Sequence, residues 1–496
     1  MEQGAEIREQ PEAMKSSRPY QGARLKRIVA WIALLTIAMG LRGGLAIHFP
    51  TVFHPDEIFQ TLEPAHRLVY DYGVTTWEWR VGVRSWVFPA FLAGVMRATG
   101  WMGSGAAGYT YGIIAVLSLA SLSAVWFGFA WAKRASGMEA AIIAAGACSI
   151  YLGLVYFAPK ALTEVAATHV LLPGLYLGVY GDRSNERKRL FFAGILCGLA
   201  ASLRIQLIPA VVFAAIYFCY PRWRQRVPAV VAGLSLPILA FGLVDKITWS
   251  YPWQSFVRNF QVNVFGGRSQ EYGVQPWYWY LLVLMVLLGP AVLFIVQGAL
   301  RSPFLAAVVL IILGSHSLLS HKEVRFMYPI LPLAITLASI GFVEFATLIR
   351  TSPKLAEFSK PVAAAGLLFF VLSSAFVASM LPGWWKAPGA QLALDQLSRD
   401  STLCGVGFYG VNWWDISGYT HLHRNVPIVP VMDSAGLVKE APAFNALIAH
   451  YAISEAPTSF KRSECWNGIC VYRRAGACIV PQPEDTFDGY LRRTGN

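Results

Sequence analysis

Long apolar runs separated by short polar, mostly basic connections dominate this chain. Runs of the roughly 17–25 residues that a bilayer requires fall at 28–48, 109–132, 138–157, 277–298, 303–320, 326–348 and 361–381. Shorter or interrupted runs fall at 164–180, 189–203, 206–220 and 227–245. The pattern predicts a membrane all-α, polytopic protein with about eleven transmembrane helices, the segment 28–381 forming the membrane domain. The first run follows a polar tail, 1–27, and lacks a small-residue cleavage site, so it reads as an uncleaved span.

Two segments break the pattern. The first, 49–108, is too polar to span, yet Pro55 suits the first turn of a helix and Ile58, Leu62, Ala65 and Val69 recur at helical spacing. Interfacial amphipathic helices are expected there, with Trp77, Trp79 and Trp86 at headgroup level, as are Trp249, Trp253, Trp277, Trp279, Trp384 and Trp385 near other span ends. The second, 382–496, alternates like a small soluble α/β domain, with a helix expected at 392–397 and a strand at 403–408. Asn467-Gly468 marks a two-residue hairpin that sets Cys465 opposite Cys470, and a disulfide is predicted between them. Cys404 and Cys478 share that compartment, their pairing left open.

Charge decides orientation. Arg24, Lys26, Arg27, Lys133, Arg134, the cluster 183–189, Arg222, Arg224, Arg226, Arg301 and the segment 350–360 fall on one side if every run crosses. That side is expected to be cytoplasmic. The segments 49–108, 158–163, 203–206, 245–276, 321–325 and 382–496 then share the opposite face. With 14% charged and 55% hydrophobic residues, against roughly 25% charged in soluble domains, the net charge of +13 reads as topology and contact with membrane lipids. No aromatic-interleaved basic patch points to nucleic acid.

The chemistry-bearing residues gather on the outer face. Asp56 and Glu57 occupy a helical first turn, where the helix dipole alone favours acids by about 0.3–1 kcal/mol. Beside a rim of Trp and Arg, a carboxylate there also suits proton removal from a sugar hydroxyl. The turn His321-Lys322-Glu323-Val324-Arg325 packs three cationic groups into five residues. A charged turn is the ordinary reading; a lipid phosphate leaving group needs the same charge. Arg204 interrupts two apolar runs, either snorkelling or facing an aqueous cavity. Lys160 and Glu164 fit an i,i+4 pair, and His316 a core histidine. Trp77, Glu78, Trp79 and Arg84 suit a membrane belt or a sugar-binding surface. There is no P-loop, GxSxG, HExxH, CxxC or Asp-x-Asp pattern. No metal or other cofactor is therefore expected, and a sugar donor would be a lipid phosphate.

The stretch HPDEIFQTLEPAHRLVYDYG, followed by TTWEW, with KALTE at 160–164, RIQ at 204–206 and HKEVRFMY at 321–328, resembles glycosyltransferase family 22 over about residues 28–345. These are dolichyl-phosphate-mannose-dependent mannosyltransferases of the GT-C fold, and the likeness is greatest to the branch that adds the third mannose of glycosylphosphatidylinositol anchors. The resemblance implies Asp56 as general base with Glu57 beside it. It implies Arg204, His321, Lys322 and Arg325 on the donor phosphate, and His54, Trp77, Glu78, Trp79 and Arg84 on the acceptor. The implied reaction transfers mannose from a β-linked polyprenyl phosphate to a glycan or glycolipid hydroxyl, with inversion. Ala- and Arg-rich usage suggests a bacterial inner membrane with the site facing the periplasm, the alternative being the endoplasmic reticulum lumen. Competing readings are a GT-C enzyme for another sugar and a lipid-linked-sugar transporter. The enzyme reading requires Asp56 and the 321–325 turn to meet on one rim.

Overall fold

The computed structural model describes residues 18–52, 54–181, 184–381, 389–451 and 459–496. The tail 1–17, Arg183, Trp384 and Trp385 lie outside the described residues.

Every predicted run is helical, and among the described residues six helices are long and apolar enough to cross a membrane. These are Ile28–His48, Ala107–Ile150, Trp223–Thr248, Trp279–Arg301, Ile330–Thr351 and Ala356–Met380. The others, among them Thr163–Tyr180, Glu186–Leu203 and Pro303–Ser317, are shorter and packed inside the bundle. Ala107–Ile150 is two helices, broken at Ser136 and at Gly137, whose φ of +85° favours glycine. The expected break between 132 and 138 is therefore real.

Small residues let the helices approach closely. A Cβ on Gly233 would lie 2.1 Å from the Phe191 carbonyl oxygen, and one on Gly298 would lie 1.9 Å from that of Leu337. Arg42, buried in the first helix, gives its guanidinium to the carbonyls of Ala38, Ser149 and Cys148 at 3.1, 2.9 and 2.8 Å. It thereby ties that helix to the break at Tyr151.

The two ends of the bundle differ in chemistry. At one end, Glu186 binds Arg222 and Arg226 at 2.9 and 2.8 Å, Glu344 binds Arg301 at 2.7 Å, and Glu139 binds Arg350 at 2.9 Å. These are the basic connections assigned to the cytoplasmic side. The loops assigned to the outer side converge at the other end, where the C-terminal region covers them.

That region holds a five-stranded sheet of order β2-β1-β3-β5-β4, with β1 Val406–Tyr409, β2 Ile428–Val431, β3 Ala446–His450, β4 Lys461–Trp466 and β5 Ile469–Arg473. β1 runs parallel to β2 and β3, while β5 is antiparallel to β3 and β4. The predicted helix is Gly389–Leu397, and the strand expected from 403 begins at Val406. Cys465 pairs with Cys470 across the hairpin, and both Cys465–Cys470 and Cys404–Cys478 are bridged.

The pleat sends Val406, Phe408, Ile428 and Ile448 to one face of the sheet. Ile58 and Phe59 of the first outer loop pack into that same cluster. The helix expected in this loop is present, with protein packed on two of its sides. Pro55–Tyr70 is helical, through a π-turn at Ile58–Leu62, but it is clamped between two layers. Ile58 and Phe59 face the sheet domain, and Ala65 faces Phe88, Leu92, Met96 and Tyr109 on the bundle side.

Glu63 fixes this clamp. Its fully buried carboxylate accepts hydrogen bonds from the amides of Val74, Tyr419 and Thr420 at 2.8, 3.0 and 2.8 Å, and from the Thr420 hydroxyl at 2.6 Å. Gly418, at φ +58°, has to be glycine for this contact, since a Cβ would lie 2.8 Å from the Glu63 carboxylate. Glu63→Ala would strand these donors, each costing about 1–3 kcal/mol. We expect it to lower the thermal unfolding midpoint and make the 389–496 region protease-sensitive; an unchanged midpoint and digestion pattern would contradict the clamp.

Candidate functional site

His54 caps the short helix Pro55–Glu57, its Nδ1 accepting from the Asp56 amide at 3.2 Å. Successive helical residues diverge by about 100°, and the two adjacent acids use that divergence. Asp56 turns toward the 321–325 turn. Glu57 turns away, accepting from the Ala161 amide at 3.3 Å with the Lys160 ammonium at 3.9 Å.

Arg325, with its side chain 4% exposed, stands at the centre of the site. Its guanidinium donates to Asp56 Oδ2 at 2.5 Å and reaches Glu323 through Nε at 2.7 Å and Nη2 at 2.9 Å. A third carboxylate, Glu164, lies 3.5 Å from Nη1 and 3.6 Å from Arg204 Nη1. His54 Nε2 lies 3.6 Å from Glu323, whose other oxygen meets His321 Nε2 at 2.9 Å. Lys322 donates to the carbonyls of Gln275, at 3.1 Å, and Leu319.

On the opposite wall, Glu78 Oε1 accepts from Arg84 Nη2 at 2.6 Å and from Gln60 at 3.1 Å. The Arg268 guanidinium sits 4.9 Å from the centre of the Trp77 ring. Arg204 stacks at 4.5 Å on Phe326. Its Nε and Nη2 have no hydrogen-bond partner among the described residues, although the residue is 8% exposed.

These walls enclose a cavity of about 800 Å³ lined by His54, Asp56, Trp77, Glu78, Arg84, Arg204, His321, Lys322 and Arg325. Nine of the residues expected from sequence are thus brought together, and the two most distant segments meet on one rim. Glu57 and Trp79 are not part of the lining. Trp79 is buried, donates to the Phe59 carbonyl at 2.9 Å, and packs on Trp86 and Trp249. The expected Lys160–Glu164 pair also gives way. Lys160 precedes the helix that starts at Thr163, and its ammonium serves Thr51 and Glu57 while Glu164 serves the two arginines. His316 is the core residue expected, with Nδ1 2.8 Å from the Ile312 carbonyl.

Sequence reasoning missed Glu164 as a shared counter-ion, and Gln60, Trp413 and Trp414 as cavity residues. Glu323 and Glu164 do lie within the quoted blocks HKEVRFMY and KALTE; the tryptophans had no such signal.

The charges shift one another. Burial alone would raise the Asp56 carboxyl, but Arg325 and His54 outweigh it and hold the group well below the usual carboxylate range. Glu323 is likewise brought down to about 2, burial being overcome by Arg325 and by the His321 hydrogen bond. Burial raises Glu78 against the pull of Arg84. The bond to Glu323 raises His321, keeping it cationic to higher pH than a free imidazole. The arrangement therefore sets an ionised carboxylate in direct contact with a cationic rim, both lining one cavity.

Residues 31–402 match the family described as the Alg9-like mannosyltransferase family. GPI alpha-1,2-mannosyltransferase 3 of Mus musculus is 28% identical over 358 residues, covering 67% of this chain and 64% of the mouse protein. The match therefore spans just under two thirds of that relative's length. Mannosyltransferase APTG1 of Arabidopsis thaliana is 25% identical over 431 residues, covering 80% of this chain and 76% of that protein. The crystal structure of ArnT from Cupriavidus metallidurans bound to undecaprenyl phosphate superposes with a TM-score of 0.58 at 13% identity, over 93% of this chain and 99% of that one. That likeness is one of fold, and the fold is GT-C.

Removing the central cation would leave Asp56, Glu164 and Glu323 facing one another. Arg325→Gln is expected to cost about 3–5 kcal/mol, the usual penalty for breaking a buried ion pair. It should also raise the Asp56 pKa, read by carboxyl carbon NMR. Arg325→Lys should restore only part of both, because an ammonium lacks the fork that serves three carboxylates. An unshifted Asp56 titration in Arg325→Gln would refute the coupling.

Proposed function

The chain belongs to the Alg9-like mannosyltransferase family, and from that premise we propose that it transfers a mannosyl group from a polyprenyl (dolichyl-type) phosphate to a hydroxyl of a glycan or glycolipid. Asp56 takes the hydroxyl proton as the acceptor oxygen bonds to the anomeric carbon. The bond from that carbon to the phosphate oxygen breaks, and its electrons leave with the phosphate. One displacement inverts a β-linked donor into an α-linked product. Arg204, His321, Lys322 and Arg325 hold the phosphate and stabilise its growing charge; His54, Trp77, Glu78 and Arg84 face the acceptor.

The observation that carries this reading is Arg204, a buried guanidinium that lines the same cavity as Asp56 and has two nitrogens, Nε and Nη2, that donate to no described residue. Burying such donors is costly unless an acceptor arrives, and a phosphate oxygen supplies one. The Asp56–Arg325 contact adds a sequence of events. A carboxylate held this low is ionised but weakly basic. A donor phosphate drawing Arg325 to itself loosens its hold on Asp56, so donor binding strengthens the base.

The charge bias and the convergence of the outer loops favour eleven crossings, with the cavity and the region 382–496 on the non-cytosolic side. That side is the periplasm in a bacterium or the lumen in an endoplasmic reticulum membrane. A transporter would instead carry ionisable groups near mid-membrane between repeated halves; here they gather at one rim.

Asp56→Asn is expected to lower turnover by about 10²–10⁴-fold with donor binding retained, measured with radiolabelled polyprenyl-phosphate mannose in lipid nanodiscs. An unchanged rate would remove Asp56 as the base. His321 is cationic at low pH and loses its charge as pH rises through its elevated pKa. The donor KM should therefore rise with pH above the ordinary histidine value of about 6.5, and His321→Gln should abolish that dependence. A pH-independent donor KM in the wild type would exclude the phosphate role.

A further inference from the structure

The sheet domain contributes one wall of the cavity, and that wall is aromatic. After β1, the middle one of the three parallel strands, flanked by β2 and β3, the chain passes Gly410 and enters the short turn Trp413–Asp415. The turn therefore lies beyond the carboxyl end of the central parallel strand, where the strand order reverses and open α/β sheets bind their ligands. Both tryptophans line the same cavity as Asp56.

Their roles differ. Trp413 is wedged against Phe59 of the first outer loop, with ring centres 5.4 Å apart, and joins the apolar core there. Trp414 stands edge-on to Trp413, with ring centres at 5.8 Å and planes at 78°, and remains 45% exposed. A large indole held that open on a cavity wall is apolar surface with nothing yet to cover it. Asn412 and Asp415, both exposed, flank it, the Asn412 amide lying 3.4 Å from the Asp415 carboxylate. An indole face beside an amide and a carboxylate matches the two sides of a pyranose, whose C–H face is apolar and whose hydroxyls are donors and acceptors.

We propose that Trp414, backed by Trp413, is a stacking platform for a sugar ring of the acceptor glycan, and that the sheet domain thereby helps set acceptor specificity. This rests on the transferase reading above. The acceptor is the better occupant than the donor, because the cationic groups suited to a lipid phosphate come from loops at the span ends. Trp414 instead comes from the domain that caps them, so a ring reaching it extends away from the bilayer. The turn also lies beyond residue 402, where the family match ends; the shared chemistry and this contact are thus carried by different parts of the chain.

The test uses the full-length protein in nanodiscs, with radiolabelled polyprenyl-phosphate mannose as donor and octyl α-mannobioside as acceptor. Trp414→Ala and Trp414→Gln are expected to raise the acceptor KM about 10- to 100-fold, the usual range for losing an aromatic anchor, with the donor KM unchanged. Trp414→Phe should stay near wild type. Saturation-transfer NMR on the mannobioside should lose its signal in the same two variants, which separates binding from turnover. An unaltered acceptor KM in both variants, with an active wild type, would overturn the platform and leave the transferase reading intact. A wild type that neither transfers mannose nor binds the glycoside would overturn both.

Discussion

A guanidinium that is 4% exposed has to find acceptors, and at Arg325 three carboxylates supply them and organise the end of the bundle that the sheet domain covers. Desolvating such a cation costs several kcal/mol unless carboxylates meet it in good geometry. Three do: Glu323 from its own turn, Glu164 from the start of another helix, and Asp56 from 269 residues earlier in the chain. The pair with Glu323 is local, but those with Glu164 and Asp56 form only when the helices carrying them are in register. The charge cluster therefore reports correct assembly and builds the candidate site in one step. The same contact that positions Asp56 also lowers its basicity, so the resting arrangement favours placement over reactivity.

The loop that presents Asp56 is held from two sides. Phe59 and Ile58 enter the core of the sheet domain, while Ala65 packs on the bundle. Glu63 between them satisfies three amides and a hydroxyl. A helix pinned at these points has little freedom to tilt, which suits the base role proposed for Asp56, where reach to a hydroxyl has to be held to within fractions of an ångström. The clamp also explains why the sheet domain cannot be regarded as an appendage. Its apolar face is completed by residues of the first outer loop, and its β1–β2 connection returns to form a cavity wall.

Membrane character, the gathering of the basic connections at one end of the bundle and of the remaining loops at the other, the break between helices around Gly137, the 465–470 hairpin with its disulfide, and the pairing of an acid with a cationic turn were all legible in the chain. Each depends on local patterning or on which end of an apolar run a residue occupies, and a bilayer makes both nearly one-dimensional problems. What lay beyond that reach was the choice of partner. Lys160 and Glu164 have i,i+4 spacing, but the helix starts at Thr163 and each turns to a distant partner instead. Asp56 and Glu57 are neighbours in sequence and face different compartments of the fold. Trp79 and Trp414 are the same residue type, one sealed beneath Trp86 and Trp249, the other standing open in the cavity. Hydrophobic periodicity assigns a residue to a helix and to an end of the bundle. Which charge meets which, and which ring is left uncovered, is settled only when separate helices and a sheet pack together, because those contacts join segments whose spacing along the chain carries no record of their meeting.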